Sequence, residues 1–115
     1  MESILTSIKK LIGISQEDKA FDADIIMHIN SVFMTLNQLG VGPDDGFVIA
    51  NDVDTWAKFL GDSSKLIQAV KTYTYLKVKM VFDPPASSSA LSAMQREADT
   101  YEWRIAHQIE MEKED

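Results

Sequence analysis

Two adjacent prolines, Pro84 and Pro85, divide a chain whose apolar residues otherwise recur at helical spacing on both sides. Neither proline carries the amide hydrogen that a helix interior needs, and each pushes the residue before it out of helical geometry. A helix that reaches Phe82 therefore has to stop there. The segment before the prolines, "SSKLIQAVKTYTYLKVKMVF", sets Leu66, Ala69, Val70, Tyr73, Leu76, Met80 and Val81 on one side and Ile67, Tyr75, Val78 and Phe82 on another, the pattern of a central helix covered from more than one direction. Lys77 falls within the main stripe; its ammonium is expected to snorkel out on its stem, the alternative being an acidic partner. After the prolines, Ser87, Ser88 and Ser89 are candidate caps for a helix with the stripe Leu91, Met94, Ala98, Tyr101, Ile105 and Ile109. Trp103 misses that stripe. It shares the other face with Arg96 and His107, next to Arg104, and a large aromatic among cations on a terminal helix has the composition of an interface anchor.

Upstream, "ILTSIKKLIG" repeats Ile4, Leu5, Ile8, Leu11 and Ile12 at helical spacing, with Ser3 as cap and Gly13 as stop. Its polar side, Lys9 and Lys10, is too poor in cations for a helix that lies on a membrane, so the element is expected to pack into the core. In "FDADIIMHINSVFMTLNQLG", Asp22 is the expected cap, Phe21 a hydrophobic staple and Gly40 the end, while Ile25, Ile26, Ile29, Val32, Phe33, Leu36 and Leu39 face one way. Met27 and Met34, seven residues apart, face the other. Two flexible apolar side chains need cover, either from another helix of the same subunit, which is the expectation, or from a neighbouring subunit. The turn-rich "GVGPDDGFVIAND" contains an extended piece at 47–49, read as one strand of a minor hairpin or as a buried loop. "DVDTWAKFLG" then gives a short helix opened by Asp52 or Asp54 and closed by Gly61.

The fold class that follows is all-α. One domain spans residues 1–115: a small bundle of four to five helices whose core covers about residues 1–83, a Pro-Pro hinge at 84–89, and a long C-terminal helix over about 90–112. With 45% hydrophobic and 25% charged residues the chain has the makings of a packed core despite its net charge of −7. That charge is unevenly placed. From Glu97 onward seven acids stand against Arg104 and Lys113, whereas residues 63–82 hold four lysines and no acid. The basic helix is expected either to pack against the acidic one within a subunit or to attract that of a neighbouring copy.

The same inventory excludes several functions. There is no cysteine, hence no disulfide, thiol nucleophile or thiolate metal site. Nor is there a glycine-rich phosphate loop, and the only histidines are His28 and His107. Asp24 and His28 are spaced as a surface pair one turn apart rather than as a metal site, and Asn51, Asp52 and Asp54 lack the glycine and distant glutamate of a calcium loop. No catalytic, cofactor or metal residue is assigned, and an enzyme is not expected. Acidity argues against a protein that grips phosphate backbones, and Lys58 alone among aspartates makes a poor reading helix for a major groove. The opening "MESILTSIKKLIG" has neither the basic start nor the unbroken apolar stretch of a signal peptide, and no run is long enough to span a membrane, so the protein is expected to stay where it is made, without a membrane partner.

The order of "IKKLIGI", "FDADIIMHINSVFMTLNQLGVGP", "GFVI", "TWAKFLG", "FDPP" and "LSAMQREADTYEWRI" resembles that of the small head-to-tail connector proteins of long-tailed bacteriophages and prophages, over nearly the whole chain. The resemblance implies a compact helical structural protein of the virion neck, made in the bacterial cytoplasm. It also implies a homo-oligomeric ring beneath the portal protein, a downstream neck or tail-completion partner, and DNA that passes through without tight binding. Within that reading the candidate interface residues are Met27, Met34, Lys77, Arg96, Trp103, Arg104 and His107. The alternative is a small acidic adaptor or regulator, such as an antitoxin, that binds a protein partner and stops at monomer or dimer.

Overall fold

Helical spacing on either side of the double proline produces two long antiparallel helices, and three shorter elements pack around the first of them. The computed structural model describes residues 2–61 and 64–113; Glu114 and Asp115, the last two acids of the tail, lie outside them. In chain order the elements are α1 (Ile4–Leu11), α2 (Asp22–Gln38), α3 (Trp56–Leu60), α4 (Ser64–Phe82) and α5 (Ser88–Lys113). Among the described residues there is no strand, only a single antiparallel bridge between Ser3 and Thr55. The chain is an all-α bundle in which Pro84 and Pro85 separate α4 from α5.

α4 is the hub, packed against every other helix, with α5 along one side and α2 along another. Its buried residues include Leu66, Val70, Tyr73, Leu76 and Val78, while Val81, expected on the main stripe, is 62% exposed. Thr74 is fully buried at no cost in unmet hydrogen bonds, because its hydroxyl donates to the carbonyl of Val70 at 2.7 Å. On α5 the stripe works only in the second half: Ala98, Ile105 and Ile109 are buried, but Leu91 is exposed, and between Ser88 and Glu97 only Met94 is even half-covered. The helix overhangs the body it packs on. It starts from Ser87, whose hydroxyl accepts the Ala90 amide at 3.0 Å.

The other end of the core is aromatic. Phe33 of α2 stacks on Phe59 of α3 at 4.3 Å between centroids, Phe59 on Phe47 at 5.0 Å, and Trp56 meets Phe33 edge-on at 6.1 Å. The Trp56 indole donates to Ser7 Oγ at 2.8 Å, and Ser7 donates in turn to the carbonyl of Ile4, so the polar edge of the tryptophan is satisfied inside the core. Gly42 sits against this cluster with φ +82, where a Cβ would lie 2.5 Å from the Phe59 ring. Only glycine fits there.

Several local expectations need correction. Asp22 does not cap α2: Phe21 occupies the cap position without a side-chain hydrogen bond, and Asp22 pairs instead with Lys9 at 2.8 Å. α3 is capped by Thr55, whose hydroxyl accepts the Lys58 amide at 3.1 Å, rather than by Asp52 or Asp54. Asp54 spends its side chain on Lys58 and its carbonyl on the Ile4 amide. Of the two readings of the piece at 47–49, strand or loop, the loop is the one observed, held because the Asn30 side chain donates to the Ile49 carbonyl at 3.0 Å and accepts from the Ile49 amide at 2.8 Å. One amide side chain thus replaces a strand partner. In α1 the buried arc is rotated from the expected one, with Leu11 45% exposed and Lys9 2%.

Candidate interaction site

Two surfaces of the folded chain carry the residues expected to make contacts. The first is the outward side of α5. The helix is pinned by its inner side, where the Tyr73 hydroxyl of α4 donates to Glu102 Oε1 at 2.6 Å. Burial, and then this bond to a carboxylate, push the Tyr73 phenol well above its ordinary range, so it remains a donor. With Glu102, Ile105 and Ile109 held inward, the 3.6-residue repeat turns Arg96, Trp103 and His107 outward. Trp103 is 65% exposed, and its ring lies parallel to the imidazole of His107 at 5.0 Å and 6°. Arg104 is exposed as well, with its guanidinium 5.4 Å from the centroid of Tyr101. A groove of about 360 Å³ runs beside Trp103 and His107, bounded across the gap by Gln38 and Leu39 at the end of α2.

The second surface is on α2. Met27 is 57% and Met34 68% exposed, so the expectation that another helix of the subunit covers them is overturned. The neighbour that comes nearest is the 45–48 loop, which Asn30 and Ile49 tie down beside them. Together they form a groove of about 480 Å³ floored by Phe33 and Phe47, flanked by Asn30 and Asn37, and closed at one end by Asp45. Val48 adds a further apolar side chain, 71% exposed. Reading the sequence missed the loop's part in this surface. The available signal was Asn30, a lone amide on the flank of a helix whose buried face is otherwise apolar.

The structure brings Trp103 and His107 together, places the Arg104 guanidinium over Tyr101 instead, sets Arg96 two turns before Trp103 on the same helix, and leaves Met27 and Met34 on a separate groove. Lys77 belongs to neither; it is half-buried and has no ion pair among the described residues. The cations of α4 do not reach across to α5 either: Lys71 pairs with Glu2 and Lys79 with Asp83, each at 2.8 Å. No acid of α5 has an ion pair among the described residues, so the basic helix does not neutralise the acids of α5 there. Asp24 and His28 make no site: His28 turns its ring edge toward Phe82 at 6.5 Å, and among the described residues no three metal-ligating side chains converge.

Comparison with known protein families places the chain: residues 4–112 match the family described as phage connector protein. The chain belongs to that family. The match covers α1 to α4 in full and all of α5 but its last residue, and the family is one of phage structural proteins that interact with other head and tail proteins. No curated protein and no solved structure matches the chain. Among the described residues of this connector, no helix is long and apolar enough to cross a membrane.

Proposed function

We propose that this connector forms a ring beneath the portal of a tailed phage, joins the DNA-filled head to the tail, and lines the passage through which DNA leaves. Its partners are further copies of itself, the portal protein, and a neck or tail-completion protein below; it resides in the virion neck after assembly in the bacterial cytoplasm. The observation that carries this reading is the family match over residues 4–112. The geometry supports it in two ways. A subunit that buries its core yet leaves Trp103, Met27 and Met34 uncovered has the two apolar contact areas that a closed ring requires of every copy. An acidic chain at −7 suits a conduit, because a wall that repels phosphates lets the duplex slide, whereas a basic wall holds it through counterion release.

The test is made in the phage. Particles assembled without this protein should be DNA-filled heads without tails, and complementation in trans should restore tailed virions with the protein located between portal and tail by cryo-electron microscopy. Mixed with portal, the purified protein should give a closed ring by native mass spectrometry. Tailed virions in its absence, together with a species no larger than a dimer in the presence of portal, would overturn the reading and favour a regulator.

A further inference from the structure

Resting on the ring reading, we infer that the two uncovered surfaces are complementary halves of one junction: the Met27/Met34 groove of one subunit receives the Trp103 face of the next copy. The two surfaces share no lining residue, and each is left open by its own subunit. One is concave and apolar, with two methionines that can adapt to a large ring system. The other presents a tryptophan, 65% exposed at the edge of its own smaller groove, its ring braced by His107 so that little side-chain freedom is lost on docking.

Charge selects the occupant. Asp45 closes the groove, and Asp44 stands next to it, both exposed. Arg96 lies two turns before Trp103 on nearly the same line of α5, and Arg104 lies about a quarter turn further round on the same side, its guanidinium over Tyr101; both are exposed. None of the four has an ion-pair partner among the described residues. The chain as a whole is acidic, so the arginines along one edge of the Trp103 strip, on an acid-rich helix, are out of keeping with their surroundings, and the acidic groove of the same chain is what they fit. Asp99 and Glu110 follow along the far edge of the α5 strip by helical spacing, which makes the face polar in charge and permits one orientation of the neighbour. The halves lie on different elements, so each copy can offer its Trp103 face to one neighbour and its groove to another, and this head-to-tail contact, repeated with a closing rotation, gives the ring.

Two experiments on the full chain test the pairing. Two variants are made, Asp44→Lys with Asp45→Lys, and Arg96→Glu with Arg104→Glu. Each alone should lose ring formation, whereas an equimolar mixture should recover it, because every junction of an alternating ring is then complementary. Second, the chain has no cysteine, so Ser31→Cys and Thr100→Cys, both exposed and beside the contact without removing its apolar residues, can be joined by a short bismaleimide, with portal present where assembly needs it. The 31-to-100 product between two copies is expected, without 31-to-31 or 100-to-100 products. Trp103→Ala should weaken association about 30-fold or more, the loss typical of a hot-spot aromatic, with the helical circular dichroism and the melt unchanged. Rings that form without the 31-to-100 product, or a charge-reversed mixture that fails to recover, overturn the pairing and leave the ring intact. If no ring forms with portal, the pairing and the ring reading both fall.

Discussion

Lys9 shows how one residue can reorganise a stretch of chain. Helical spacing assigns it to solvent with Lys10, yet its ammonium is buried, donating to the carbonyls of Gln16 at 3.2 Å and Asp18 at 2.6 Å and facing Asp22 Oδ1 at 2.8 Å. It thereby folds the α1–α2 connection over itself and claims the carboxylate that the local pattern assigned to capping. Asp22 Oδ1 is buried with no aligned hydrogen-bond donor, so the ion pair is what offsets its desolvation. Lys9→Met should therefore cost about 2–3 kcal/mol, since it leaves the buried oxygen of a partly exposed carboxylate and two carbonyls without a partner. Urea unfolding followed by helical circular dichroism measures this, and in an Asp22→Ala background the same substitution should cost clearly less. Gly42→Ala should cost about 2 kcal/mol from the positive φ alone, more because Phe59 must move, and the melt should fall accordingly. Neither position was legible in the sequence: a lysine and a glycine look alike in a loop and in a core until the long-range neighbour is known.

At the scale of elements, the sequence was informative wherever a rule is local. The prolines end α4, the serines start α5, and the apolar periods name most of the buried side of α2 and α4, because backbone geometry alone dictates these features, whereas in α1 the buried arc is turned toward Lys9. It was silent on how far the partner extends, so Val81 and Leu91 read as core and stand exposed on either side of the double proline. The α4–α5 pair has one polar lock that a pH series can isolate. Tyr73 is neutral in the fold and resists ionising, whereas in the unfolded chain it titrates near its ordinary 10.0. A group whose folded pKa is raised contributes stability that is fully present below the unfolded value and lost as pH climbs through the folded one. Stability should thus be level in this term up to about pH 10 and decline above it. Tyr73→Phe should cost about 1 kcal/mol at neutral pH through the lost bond to Glu102, and the gap to the parent protein should narrow above pH 10, as read by urea midpoints across the series.

Taken whole, the molecule is a slab of 43 × 35 × 21 Å, with the 26-residue α5 running much of its length. Its charge decides how such a subunit treats a passing duplex. A protein that holds DNA through backbone contacts neutralises on the order of 6–10 phosphates, and the one basic stretch here supplies four lysines. Two of those are already engaged, Lys71 by Glu2 and Lys79 by Asp83, which leaves Lys65 and Lys77. The acids of α5 have no such engagement among the described residues, so the field they set up is repulsive to phosphate. An anisotropy titration of labelled duplex at about 150 mM salt should accordingly show no submicromolar binding. Relieving the two ion pairs with Glu2→Gln and Asp83→Asn should free two cations, make binding measurable at lower salt, and steepen its logarithmic salt dependence by about two. Tight, salt-sensitive binding by the parent protein would mean that the lysines of α4 form a phosphate track despite their partners, and the conduit argument would have to be replaced by one in which the subunit grips DNA.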